Sequence, residues 1–258
     1  RSVQAVADYY GNVETFGVRD CSVQRNNQKI IEETPPAHMK RQTIEALEQG
    51  SRRLLKAADY HGAGTVEYLY DIERDQFFFM EVNTRLQVEH PISEELYHTD
   101  LVQLQIHVAC GGSLEKFRKE TPIGHVIEVR LNAEDPENRF APTPGKIKRY
   151  LPPQLPGIRL DSGIEWGSTI PKEFDSMIAK IIAKGPDRKS AIAKLTRALR
   201  ELQIEIDNGT TNQGFLLELL NSKEIREGGV QTDFVEQRSE EHTSNSSHLV
   251  ISYAVFCL

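Results

Sequence analysis

Residues 77–91 read FFFMEVNTRLQVEHP. The three phenylalanines and the methionine predict a strand set in a buried wall. With no turn residue between, Glu81, Asn83, Arg85, Gln87 and Glu89 follow at every second position. A period of two places Glu81, Asn83 and Arg85 on one face of a strand. The preceding run TVEYLY (65–70) carries Glu67, and the polar segment DIERDQ (71–76) separates the runs. Two strand-like runs about a polar turn predict a hairpin. With the turn centred near Arg74, Glu67 falls opposite Glu81. Two carboxylates directly opposite each other repel and weaken a sheet. A divalent cation between them reverses that sign, and Asn83 adds a neutral oxygen on the same face. This donor set suits a hard cation, Mg²⁺ or Mn²⁺, with water and phosphate oxygens completing the shell.

The charged row cannot stay extended. At about 3.3 Å per residue, Glu81 to Glu89 would span roughly 26 Å, too far for one site. Pro91 restricts His90. The chain is therefore expected to turn after Arg85 and bring Gln87, the Val88 backbone and Glu89 back over the metal. A cation, an arginine and a free carboxylate together can bind phosphates and deprotonate a small acid. His90, alone beside a proline, reads as structural. Lys29 and Lys40, taken singly, read as surface charges.

The remainder of the chain is mixed. Residues 1–33 read as strands with a turn at Tyr10-Gly11-Asn12, and TPP at 34–36 breaks them. Residues 40–60 carry Ile44, Leu47, Leu54, Leu55 and Ala58 at helical spacing, with Gly62 placed as a cap. Residues 100–109 predict a short helix stopped by Gly111-Gly112. In HVIEVRLNAED, Ile127, Val129 and Leu131 face one way and Glu128, Arg130 and Asn132 the other. Residues 141–157 are rich in Pro and Gly and predict loops with short strands. DRKSAIAKLTRALRELQI (187–204) predicts an amphipathic helix, and TNQGFLLELL (211–220) another.

The 258 residues suffice for one large domain or two small ones. A net charge of −7 argues against a nucleic-acid partner, which would need clustered Lys and Arg. Cys21, Cys110 and Cys257 form neither a metal spacing nor a disulfide framework, which favours a reducing compartment: the cytoplasm, or alternatively the mitochondrial matrix. No apolar run is long enough for a membrane helix. There is no P-loop, HExxH, CxxC or GxSxG motif. The first residue is not Met and RSVQAVADYYGNV already alternates, so the chain is expected to begin inside a fold. Residues 238–258 show no period and no cap. Read back into codons they resemble an adapter translated in frame, and they are expected to be a read-through tail without function.

The segments RDCSVQRNNQK, GAGTVEY, MEVNTRLQVEHP, EVRLNAEDP and DSMIAKII, in this order, resemble the biotin carboxylase component of biotin-dependent carboxylases. That resemblance implies an α+β fold. Residues 1–110 would form the C-terminal portion of an ATP-grasp fold, and 111–237 the mixed α/β C-terminal domain. It implies ATP-dependent carboxylation of carrier-bound biotin by bicarbonate through carboxyphosphate. The partners would be a biotin carboxyl carrier and a carboxyltransferase, in a possible homo-oligomer. By position, Glu67 and Glu81 would hold the metals on ATP, with Asn83 on the second. Glu89 would be the base. Lys29, Arg85, Gln87 and the Val88 backbone would hold bicarbonate, and Arg130 would stabilise the biotin enolate. Gln24 and Asn27 would lie near ATP, although Asn27 stands where many members carry His. The family's N-terminal subdomain and glycine-rich lid would precede residue 1, so the isolated chain is expected to be inactive. A carbamoyl-phosphate synthetase relative would share the metal site, but RLQVEHP points to the biotin branch. A non-catalytic assembly module is the third reading.

Overall fold

The computed structural model describes residues 1–237, so the expected read-through tail lies outside the described residues. In chain order the elements are β1 (Ser2–Ala7), β2 (Val13–Arg25), β3 (Gln28–Thr34), α1 (Arg41–Ala57), β4 (Gly62–Asp71), β5 (Gln76–Asn83), α2 (His90–Tyr97) and α3 (Leu101–Ala109). These are followed by β6 (His125–Asn132), β7 (Glu134–Asp135), β8 (Ala141–Pro142), β9 (Gly145–Leu151), β10 (Ile158–Ser162), β11 (Thr169–Ile170) and β12 (Met177–Gly185). The chain closes with α4 (Arg188–Glu201), β13 (Gln203–Ile206), α5 (Gln213–Asn221) and α6 (Lys223–Glu227).

Eight strands make one antiparallel sheet in the order β10-β12-β6-β3-β2-β1-β4-β5. The sheet joins strands from before and after residue 111. A three-stranded sheet, β11-β9-β13, and the β7–β8 ribbon flank it.

Both faces of this sheet are covered, and alternation shows by what. On β1, Val3, Ala5 and Ala7 pack with Leu47 and Leu55 of α1. Val6, on the other face, packs with Ile92, Leu96 and Leu101 of α2 and α3. On β6, Ile127, Val129 and Leu131 join Leu195 and Leu199 of α4 and Leu216 of α5, whereas Val126 joins the α2–α3 cluster. So α2 and α3 cover one face, and α1, α4 and α5 the other. Glu128 and Arg130 lie on the α2 face, as the alternation predicts.

Local chemistry explains the ends. Asp8 accepts from the backbone N–H of Tyr10 and Asn12, both at 2.9 Å, and fixes the first turn. Asp187 caps α4 and Asp100 caps α3 through N–H groups three residues on. Asn26 and Asn27 both have positive φ, 48° and 60°, in the two-residue β2–β3 turn, a conformation Asn tolerates. Gly62 does not cap α1. The helix ends at Ala57 with Ala58 as its C-cap, and Gly62, at φ 97°, opens β4 instead.

The expected buried wall is the clear misreading. Phe78, Phe79 and Met80 are 58%, 53% and 50% exposed, because β5 is the edge strand of the sheet. A run of apolar residues records what a strand could bury, not where in the sheet it sits.

Candidate functional site

The β4–β5 hairpin pairs Glu67 with Glu81 directly, as its sequence predicts, and Thr65 with Asn83. The register shifts by one between Glu67 and Tyr68, a bulge that re-aims the strand beside the pair. Glu81 is exposed, and Glu67 is 22% exposed at its side chain. The Asn83 amide donates to Glu81 at 3.2 Å. Among the described residues no third His, Cys, Asp or Glu joins them in a metal-holding group. Two solvent-reaching carboxylates and an amide fit a hard cation that keeps several non-protein ligands, and fit poorly a metal needing a closed protein cage.

After Asn83 the chain leaves the sheet and re-enters as α2 at His90, with Pro91 in the first turn. This bend carries Gln87 and Glu89 back over the sheet, as the length argument requires. Glu89 is 1% exposed. Its Oε1 accepts from Lys29 Nζ. Its Oε2 accepts from Arg130 Nη2 at 3.1 Å, and Arg19 Nη2 stands 4.0 Å away. Burial alone would raise this carboxyl, but Arg19, Lys29 and Arg130 outweigh it and hold it down to about 2.

Lys29 also lies 3.4 Å from Glu67, so it links the sealed carboxylate to the outer pair. Gln87 makes a second link. Its Nε2 donates to Glu67 at 2.6 Å, while its Oε1 accepts from Arg19 at 2.8 Å. The Val88 carbonyl accepts from Lys180 at 3.0 Å, which fixes that peptide. The His90 ring Nδ1 contacts the Gln87 carbonyl at 2.8 Å.

Not every expected residue is brought in. Arg85 is exposed and donates to the Leu86 carbonyl at 3.2 Å, away from Glu89. Gln24 faces Lys29 across the β2–β3 hairpin, and Asn27 sits in the exposed turn. Lys40 is a surface ion pair with Asp75, matching its reading as a surface charge.

Four groups of the site went unread in the sequence. Arg19 is fully buried and is held by neutral oxygens of Gln4, Ser93, Thr65 and Gln87. Glu32 is fully buried and takes Arg130 through Nε at 2.7 Å and Nη2 at 2.6 Å, both on Oε1. Cys21 lies 3.8 Å from Glu89, and burial pushes its thiol up to about 12, so it is neutral. Lys180 joins Val88 and Asp161. One signal was available: a period of two puts Arg19 and Cys21 on the same face of β2.

Known proteins resemble this chain in sequence and in fold. Residues 2–117 match the ATP-binding domain of the carbamoyl-phosphate synthase L chain, and residues 128–237 match the biotin carboxylase C-terminal domain. A biotin carboxylase of Nostoc sp. is 43% identical over 238 residues, which is 92% of this chain and 53% of that protein. The alpha3 subunit of a Mycobacterium leprae biotin-dependent acyl-coenzyme A carboxylase is 46% identical over 203 residues, covering 78% of this chain and 34% of that one. The biotin carboxylase domain of Hydrogenobacter thermophilus 2-oxoglutarate carboxylase, solved with MgADP, ADP and bicarbonate, superposes with a TM-score of 0.87. It is 36% identical, over 92% of this chain and 52% of that one. The chain thus spans between about a third and about half of the length of these relatives.

Proposed function

The chain belongs to the biotin carboxylase family, and from that premise we propose that its buried Lys29–Glu89–Arg130 cluster is the bicarbonate and biotin half of an ATP-dependent biotin-carboxylating site. The observation that carries this reading is a carboxylate 1% exposed and held by cations from β2, β3 and β6. A structural ion pair needs one partner; Glu89 has three, and three are what a site for an additional small anion would show.

In this reading Glu67, Glu81 and Asn83 hold the divalent cation of MgATP, which would neutralise phosphate charge. Lys29, Gln87 and the Val88 backbone receive bicarbonate, and Arg85 swings in from its exposed position. Arg130 lies against the ureido oxygen of biotin. Gln24 and Asn27 lie on the ATP side of the hairpin. The relatives' names support a biotin carrier and a carboxyltransferase as partners, and a solved relative's MgADP and bicarbonate support the two small substrates.

Glu89 as base requires one further step. A carboxylate held at about 2 is a weak proton acceptor. Incoming bicarbonate competes for Lys29 and incoming biotin for Arg130, two of the three cations that depress Glu89. As they turn to the substrates, Glu89 loses its stabilisation as an anion and its basicity rises. The substrates thereby activate their own base. The carbamoyl-phosphate synthetase alternative is not favoured, because Arg130, one of these cations, comes from the region that matches the biotin carboxylase C-terminal domain.

The test is Glu89→Gln in the protein at the family's full length, measured as ADP release dependent on both bicarbonate and biotin. Loss of a general base lowers turnover by about 10²–10⁴-fold, with ATP binding retained. Unchanged turnover would reduce Glu89 to a structural role.

A further inference from the structure

Glu128, in the middle of β6, is fully buried, and neither of its carboxyl oxygens has a hydrogen-bond partner among the described residues. Directly opposite it on β3 stands Glu32, also fully buried. Glu32 receives Arg130 on Oε1, while its Oε2 has no partner. Taking one carboxylate out of water without a compensating partner is strongly unfavourable, and a second anion facing it adds repulsion. Such a pair keeps one proton. Glu32 has the guanidinium and remains the anion; Glu128 has none. Burial, and then the charge on Glu32, push the Glu128 carboxyl well above its ordinary range, against the weaker pull of Lys180 and Arg130.

We propose that Glu128 is a neutral carboxylic acid in the folded protein, and that its proton sets the charge of the neighbouring cluster. With Glu128 neutral, three cations (Arg19, Lys29, Arg130) face two carboxylates (Glu32, Glu89). One positive charge is left over, matched to one monovalent oxyanion. An ionised Glu128 would cancel it. Lys180 does not enter this balance, since Asp161 lies 3.3 Å from it, and the Cys21 thiol is uncharged. Glu67, which also reaches Lys29, belongs to the outer pair with Glu81. The link to an oxyanion rests on the reading of the cluster as bicarbonate's seat; the proton on Glu128 stands apart from it.

The consequence for stability has a definite sign. In the unfolded chain Glu128 ionises in the ordinary carboxylate range, whereas the folded protein keeps the proton. Folding therefore takes up a proton at this residue, and its contribution to stability falls as pH rises from that range toward the raised folded value. Glutamine has the same shape and no charge, so Glu128→Gln removes the penalty.

The experiment compares the wild-type chain and Glu128→Gln by melting from about pH 5 to about pH 9 and by infrared spectroscopy. Glu128→Gln is expected to melt no lower than wild type near neutrality, with an advantage that widens as pH rises. Wild type at neutral pH is expected to show the carbonyl stretch of a protonated carboxylic acid, absent from the variant. A lower melting temperature for Glu128→Gln at neutral pH overturns the proposal, and so does a wild-type spectrum without that band. Should the variant not fold, the wild-type band alone decides. Bicarbonate titrated into both proteins separates the two readings. Equal affinity is expected; no binding to either protein would remove the oxyanion seat and leave the protonation of Glu128 to the spectrum.

Discussion

Two pairs of glutamates stand directly opposite each other in the same antiparallel sheet, and they resolve the same repulsion in opposite ways. Glu67 and Glu81 face each other across β4 and β5, at the open edge of the sheet. Glu32 and Glu128 face each other across β3 and β6, near its centre and under α2. The outer pair reaches solvent, so water screens it and a hydrated cation can settle on it. The inner pair is sealed, so no hydrated ion reaches it. There the compensation comes from one guanidinium and one proton. What decides the chemistry of a carboxylate pair is thus access to water, not the residue types or the strand register, which are alike.

The inner pair should be asymmetric, and the largest expected effect tests this. Glu32→Ala leaves Arg130 buried with only Glu89, itself shared with Lys29 and Arg19. Removing one partner of a buried ion pair costs about 3–5 kcal/mol, which urea unfolding will register as a lower midpoint with an unchanged slope. Glu128→Gln, directly across the sheet, moves stability the other way or not at all. Equal losses from both would mean that the two carboxylates share Arg130 symmetrically, and the contrast would collapse.

The next effect is of similar size and concerns acid. Glu89 is depressed to about 2 in the folded protein, below the ~4.3 of an unfolded glutamate. Its stabilisation is therefore complete above that unfolded value and is lost as pH falls through the window from about 4 to about 2. At about 1.4 kcal/mol per unit, this amounts to roughly 3 kcal/mol. Glu89→Gln should flatten the stability curve in that window. If wild type and variant lose stability in parallel down to about pH 2, Lys29 and Arg130 are not holding Glu89 as an anion.

The same contrast marks what could be read in advance. The outer pair was legible because a local turn nearly fixes its register: DIERDQ lies between the two runs, and the one-residue shift between Glu67 and Tyr68 completes the pairing of Glu67 with Glu81. The inner pair was not, because β3 and β6 are far apart in sequence and no local rule sets which residue of IIEET meets which residue of HVIEVRLN. Alternation did place Arg130 and Glu128 on one face, but it could not tell a solvated face from one roofed by α2. Arg19 was missed for that reason, and Phe78, Phe79 and Met80 were misjudged for the converse one. Lys29 needed the resemblance, since a lone lysine in a polar hairpin carries no signal of its own. Glu89 followed from length alone, because the charged row was too long to remain a strand.

The smallest expected effect belongs to the outer pair and is the most discriminating. Glu81 is exposed, and Asn83, two residues along the strand, donates to it at 3.2 Å. Without metal, Glu81→Gln removes the repulsion from Glu67 and keeps a group that can accept from Asn83. Cross-strand charge pairs are worth only about 0.2–1 kcal/mol, so the metal-free melting temperature should rise slightly or stay level. Mn²⁺ titrated by calorimetry should bind the wild-type chain and bind Glu81→Gln distinctly more weakly, because the amide offers a neutral oxygen where a hard cation prefers an anionic one. Metal binding should also weaken as pH falls, since the ligands must be deprotonated. Equal Mn²⁺ affinity in the two proteins would show that the pair is not the site. Weak binding with a strongly lowered metal-free melting temperature would show that Glu81 holds a structural partner, and the edge pair would then resemble the centre pair after all.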